Sequence, residues 1–99
     1  MPAHIPIDHQ AVAAFCRKWH VAELALFGSV LRDDFRPDSD VDVLVSFTPD
    51  AGVGLFEFVR MGRELSEIVG RQVDLVEKAG LKPALRPRIL ATTELVYAA

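Results

Sequence analysis

Two apolar runs, Val21 to Phe27 and Asp40 to Phe47, constrain the fold of this chain more than anything else in it. Both are short, rich in Val, Leu and Phe, and bounded by polar segments, so each reads as a strand. The first is apolar along most of its length, which predicts a central position in a sheet. In the second, Val41, Val43 and Val45 alternate with Asp40, Asp42 and Leu44. Successive strand residues point to opposite faces, so the valines pack one way while Asp40 and Asp42 project together the other way. At ~3.3 Å rise per residue their Cβ atoms lie about 6.6 Å apart. Carboxylates at that separation can share a divalent cation or bracket a pair of them, since paired catalytic cations sit about 3.5–4 Å apart.

Between the strands lies Gly28-Ser29, then a short helix predicted over Ser29 to Asp33, then a turn over Arg36 to Ser39 marked by Pro37. Exposed N–H groups and the helix dipole favour an anion where a strand hands over to a helix. Glycine lets the backbone come close and serine adds a hydroxyl donor. Arg32 falls one turn after Ser29 on the same face. It either steadies phosphate charge or pairs with Asp33, Asp34 or Asp38. Ser39 either caps its loop or holds Asp40 in place. An anion site beside a cation site is what a nucleoside triphosphate with its metals requires.

The joint pattern of Gly28, Ser29, Arg32, Asp40 and Asp42 resembles the first motif of the DNA polymerase β-type nucleotidyltransferase superfamily. The chain is most similar to the minimal single-domain members, and the resemblance runs from Phe15 to Tyr97. It implies that Gly28 and Ser29 bind the triphosphate and that Asp40 and Asp42 bind metal. It also implies a third catalytic and metal-binding carboxylate on a later strand, matched by Asp74 in the run Arg71 to Val76. Read from its neighbours alone, Asp74 stands between Val73 and Leu75, which face the opposite side. A carboxylate in a buried strand is costly unless paired or metal-bound; the alternative is a surface aspartate on an edge strand. The chain departs from the family at Asp33, where glycine is usual.

The resemblance further implies two Mg²⁺ ions, ATP as substrate, and transfer of AMP to a hydroxyl of a partner protein. The expected partner is a HEPN-type toxin, with this chain as its antitoxin. Little sequence is left over for acceptor recognition, in keeping with an acceptor supplied by another protein; the expected assembly is a hetero-oligomer or a homodimer. Two other readings stand beside it: a non-catalytic nucleotide-binding module that neutralises a partner by stoichiometric binding, and a small-molecule nucleotidyltransferase.

Composition narrows the setting. Ninety-nine residues, 51% of them hydrophobic, predict one globular domain over 1–99, with residues 1–7 as a loose tail holding two prolines. A formal charge of −3 argues against an extended nucleic-acid surface. The single cysteine, Cys16, allows no internal disulfide and fits a reducing, cytoplasmic location. No basic and apolar leader and no membrane span is expected. His4, His9 and His20 lack metal-ligand spacing.

The remaining elements follow from periodicity and caps. Asp8 caps a predicted helix over 9–19, with Val12, Phe15, Cys16 and Trp19 inward. A loop with Pro49, Gly52 and Gly54 leads to a helix over Leu55 to Val69, whose expected inner stripe is Leu55, Phe58, Val59, Gly62, Leu65 and Val69. Gly70 stops it. A strand over Gln72 to Glu77, a helix over Leu81 to Ala91 that Pro87 delays or kinks, and an edge strand over Glu94 to Ala98 complete the chain. Trp19, Phe56 and Phe58 are assigned to the core rather than to a base-stacking platform, and Arg60, Arg63, Arg71, Arg86 and Arg88 to solvated faces, some of them available to an acidic partner. Strands mixed with helices predict an α/β (α+β) two-layer sandwich, with a mixed sheet of about four strands.

Overall fold

The computed structural model describes residues 5–32, 36 and 38–99. The chain runs α1 (His9–Lys18), β1 (Val21–Phe27), β2 (Val41–Phe47), α2 (Leu55–Val69), β3 (Val73–Glu77), α3 (Arg86–Leu90) and β4 (Glu94–Ala98). The strands form one mixed sheet in the order β3-β2-β1-β4. β1 lies antiparallel to both β2 and β4, and β2 lies parallel to β3. This is the expected sandwich, with the two apolar runs at its centre.

The alternation in β2 places the core. Val41, Val43 and Val45 are buried against Leu24 and Leu26 of β1, Val12, Phe15 and Cys16 of α1, and Met61 and Leu65 of α2. Each such aliphatic side chain contributes about 1.5–3 kcal/mol on burial. Asp42 and Leu44 therefore face away from α1 and α2. Cys16 is fully buried, and desolvation pushes its thiol up to about 12, against a smaller opposing effect of Arg17. It is a small core hydrophobe.

Local signals position the helices. The Asp8 carboxylate accepts the Ala11 N–H at 3.1 Å and starts α1. Gly70, at φ +77°, ends α2 in the left-handed conformation. The Ser66 hydroxyl donates to Gly62 O at 2.8 Å and accepts the Val73 N–H at 3.0 Å, tying α2 to β3. Pro87 has no N–H to give and is accommodated in the first turn of α3, so the helix starts at Arg86 rather than near Leu81.

Three expectations are corrected. The inner face of α2 is Phe58, Met61, Leu65, Ile68 and Val69, while Leu55 and Val59 point outward. Met61, left out of the expected stripe, is the anchor of that face. Phe56 is exposed rather than core. Ile5 and Ile7 pack on the core and so are no loose tail; residues 1–4, with His4, lie outside the described residues.

α1 and α2 are clasped at one corner. The Glu64 carboxylate accepts hydrogen bonds from Lys18 Nζ, at 2.7 Å, and from the Trp19 indole N–H. Those bonds, Lys18 first, hold Glu64 below its ordinary value of 4.5 despite an opposing effect of burial. A carboxyl depressed by folding stabilises the fold above its unfolded pKa, and that stability is lost as pH falls through the folded value. Wild type should therefore lose thermal stability below about pH 4.5 more steeply than Glu64→Gln. Melts recorded by the emission of Trp19, the chain's single tryptophan, measure the difference. Parallel pH profiles for the two proteins would remove Glu64 from the acid response.

Candidate active site

The site begins where β1 ends. Phe27 pairs with Asp42 across the antiparallel ladder, and the next residue, Gly28, turns the chain at φ +76°. A Cβ on Gly28 would run into the Asp42 carboxylate. Glycine is required twice over here, for the left-handed backbone and for the close approach. Asp42 in turn stands in register with Asp74 on parallel β3. Neighbouring strands lie about 4.8 Å apart, so the two carboxylates sit side by side on one face. Asp40 is exposed just before β2 begins. One end of the sheet thus gathers three carboxylates and the Gly28-Ser29 turn, on the face away from α1 and α2. Further along that face lies a recess of about 240 Å³, lined by Ala25, Leu44, Ser46, Leu90 and Leu95 among others.

Electrostatics mark Asp42 as the stressed member. It is half-buried, and its carboxyl is raised above the ordinary value, first by desolvation and then by the charges of Asp74 and Asp40. The Arg32 guanidinium pulls the other way. Arg32 thus acts on the carboxylate group; of its alternative partners, Asp38 forms no ion pair with it, and Asp33 and Asp34 lie outside the described residues, as does Asp33 in its place after the arginine. Asp74 is exposed on an edge strand, so the burial argument for it does not apply. What singles it out is its register with Asp42.

The expected helix over Ser29 to Asp33 is a single 3-10 turn, Gly28–Leu31, closed by the Arg32 N–H to Ser29 O at 2.9 Å. Val30 and Leu31 are buried and pin it to the core. A turn this short carries little dipole, so an anion here would depend on the backbone N–H groups and the half-buried Ser29 hydroxyl. Ser39 takes the loop-capping role: its Oγ accepts the Arg36 N–H at 3.2 Å, and its own N–H reaches Arg36 O at 3.1 Å. Pro37 of that turn lies outside the described residues.

Arg71, assigned from the sequence to a solvated face, is instead half-buried beside the candidate site. Its Nη1 donates to the carbonyls of Arg36 and Ser39, at 3.1 and 3.4 Å. It fastens the turn that delivers Asp40 to the entrance of the strand that carries Asp74. Only the parallel pairing of β2 and β3 brings residue 71 beside 36–39, so no local pattern could have found it. Arg71→Gln should cut catalytic turnover about 10-fold, the lower range for loss of a supporting partner, with KM for ATP little changed. Steady-state kinetics beside a thermal melt separate this from a stability effect; unchanged turnover would remove Arg71 from the site.

The donor set suits a hard cation. Carboxylate oxygens are the ligands Mg²⁺ prefers, and the mutual repulsion of Asp40, Asp42 and Asp74 is what a cation would relieve. As the side chains stand, no three His, Cys, Asp or Glu residues converge closely enough to hold a metal ion among the described residues. His9 and His20 are exposed and take no part in such a group.

Comparison with known proteins agrees with this fold. The sequence profile of the nucleotidyltransferase domain family matches residues 9–96. Protein adenylyltransferase MntA of Thermococcus cleftensis is 36% identical over 80 residues, covering 81% of this chain and 77% of its own. A toxin–antitoxin complex crystallised with AMP-PNP superposes with a TM-score of 0.75 at 16% identity, covering 94% of this chain and 75% of that one. A complex of tri-AMPylated HEPN toxin from Shewanella oneidensis with an MNT antitoxin gives a TM-score of 0.61 at 17% identity, over 92% and 70% of the two chains. Fold and family together define a nucleotidyltransferase enzyme. The chain belongs to the nucleotidyltransferase domain family, among its minimal members.

Proposed function

We propose that this chain moves AMP from ATP onto a hydroxyl side chain of a protein partner, a HEPN-type toxin, and thereby acts as its antitoxin. The observation that carries this reading is the register of Asp42 with Asp74 beside a Gly28 that leaves no room for a Cβ. A relative named as a protein adenylyltransferase and a structural neighbour holding an AMPylated HEPN toxin supply the acceptor class.

In this mechanism the Gly28-Ser29 turn binds the β- and γ-phosphates through backbone N–H groups and the Ser29 hydroxyl, while Arg32 balances charge at the rim. Asp40, Asp42 and Asp74 would hold Mg²⁺, two ions by the family precedent, which when bound neutralise the triphosphate and lower the pKa of the acceptor. The acceptor oxygen forms a bond to the α-phosphorus as the bond from that phosphorus to the bridging oxygen breaks, and pyrophosphate leaves. The hydroxyl proton passes to the exposed Asp74 carboxylate. Positioning and charge stabilisation do most of the work. No helix among the described residues is long and apolar enough to cross a membrane, and a single buried cysteine suits the cytoplasm.

The test is to mix the purified HEPN-type partner with this protein, ATP and Mg²⁺ and to weigh the partner by mass spectrometry. A gain of one or more AMP units is expected, and none with Asp74→Asn. The non-convergence of the three carboxylates favours a second reading, in which the partner is neutralised by binding alone. Equal neutralisation by the Asp40→Asn/Asp42→Asn double variant, with no mass gain, would establish that reading in place of the first.

A further inference from the structure

The geometry points to the outer face of α2 as the place where an acidic helix of the protein partner docks. This rests on the reading that the chain has such a partner. Leu55, Phe56 and Val59 are 77%, 82% and 52% exposed, on a helix whose other face anchors the core. Phe56, Val59, Arg60 and Arg63 stand at i, i+3, i+4 and i+7, a continuous outward ridge. Together they line a shallow groove of about 380 Å³. Leaving a Phe, a Leu and a Val in water costs the free chain solubility and contributes nothing to its core. Such a ridge fits the groove of a second helix.

Charge decides which helix. Neither Arg60 nor Arg63 forms an ion pair among the described residues. Of the carboxylates on α2, Glu57 accepts the Gly54 N–H at 2.9 Å, Glu64 is held by Lys18 and Trp19, and Glu67, one turn beyond Arg63, forms no ion pair with it, which leaves Arg60 and Arg63 on the ridge to meet a partner's acids. A second copy is a poor occupant. A two-fold antiparallel pairing that buries Phe56 and Val59 against their own copies centres near residue 58. It would set Arg60 opposite Leu55 or Phe56 and Arg63 beyond the start of the helix, with no free carboxylate facing either. The complementary surface is therefore a partner helix with an apolar residue to cover Phe56 and Val59, flanked by Asp or Glu to meet the two arginines.

The Phe56 end of the ridge lies far from the candidate active site, and its Arg63 end, which shares a recess with Gln72 and Val73, is on the opposite face of the sheet from Asp74. Phe58 packs edge-on to Phe47 at the end of β2, with ring centroids 6.5 Å apart. Asp42 is five residues earlier on that strand, about 16 Å away at ~3.3 Å per residue. Docking and nucleotide binding should thus separate by mutation, so that one surface holds the partner while the other modifies it.

The experiment titrates the purified HEPN-type partner into wild type, Phe56→Ser and Arg60→Glu/Arg63→Glu by calorimetry, at low and high salt. Far-UV circular dichroism checks the fold, AMP-PNP affinity reports on the distant site, and light scattering gives the oligomeric state of the free protein. The expected result is that both variants bind the partner at least 10-fold more weakly, the charge reversal losing most of the salt dependence, while AMP-PNP affinity stays within two-fold. Partner affinity equal to wild type in either variant would overturn the assignment. So would a wild-type homodimer that Phe56→Ser dissociates, since that would give the face to a second copy. Wild-type binding without AMP transfer would sink the enzymatic reading and leave the docking face standing; failure of wild type to bind the partner would sink both.

Discussion

Asp42→Asn should lower AMP transfer by about 10²–10³-fold or more, the scale seen when one preorganised electrostatic group is removed from an active site. The same substitution should leave the melting temperature unchanged or higher. The carboxyl of Asp42 is raised by desolvation and by its two acidic neighbours, so its charged form is less favourable in the folded chain than in the unfolded one. Removing that charge relieves the folded state. Activity and stability then move in opposite directions, which a structural role would not produce. Single-turnover transfer assays and calorimetric melts on the same preparation make the comparison; a variant that loses both together would show that Asp42 serves the fold.

Gly28→Ala should damage both. The alanine must adopt φ near +76°, a left-handed conformation that costs a residue with a Cβ about 1–2 kcal/mol. Its methyl group must also displace the Asp42 carboxylate, which occupies the space a Cβ would need. A stability loss of at least about 1 kcal/mol is expected in urea unfolding, together with loss of measurable AMP-PNP binding. Alanine at 28 with wild-type nucleotide affinity would show that the turn and Asp42 do not act as one unit.

The strands were readable because each carries its own signal. Val21–Phe27 and Val41–Phe47 are continuous apolar or alternating runs, and their limits emerge from side-chain chemistry alone. The Asp8 and Gly70 caps were readable for the same reason: one side chain or one φ angle decides each. The inner face of α2 was not. Leu55, Phe56, Phe58, Val59 and Met61 surround the first turns of the helix almost completely, so periodicity cannot say which side meets the sheet. The burial of Met61 against the valines of β2 decides it, and that is a tertiary fact. The candidate site divides in the same way. Gly28, Ser29, Asp40 and Asp42 lie close in sequence and show a pattern. Asp74 needed a resemblance to be found, and Arg71 needed the parallel pairing itself, because its partners at Arg36 and Ser39 are local to it only in the fold.

That parallel pairing has a consequence for how the chain assembles. β3 is short and lies at the sheet edge, held by the rungs from Val41–Val73 to Val45–Glu77, by the Ser66 hydroxyl and by its own buried face, and a buried face is what fixes a strand's register. A slide of one residue would reverse its faces. Val73 and Leu75 would be thrown into water, and Asp74 would be driven into the oily layer beside Val43 and Met61. An unpaired carboxylate there would cost several kcal/mol. The Asp74 carboxylate thus also acts as a ruler during folding, rejecting misaligned versions of the strand that carries it, so the chain in its most stable alignment has Asp74 level with Asp42.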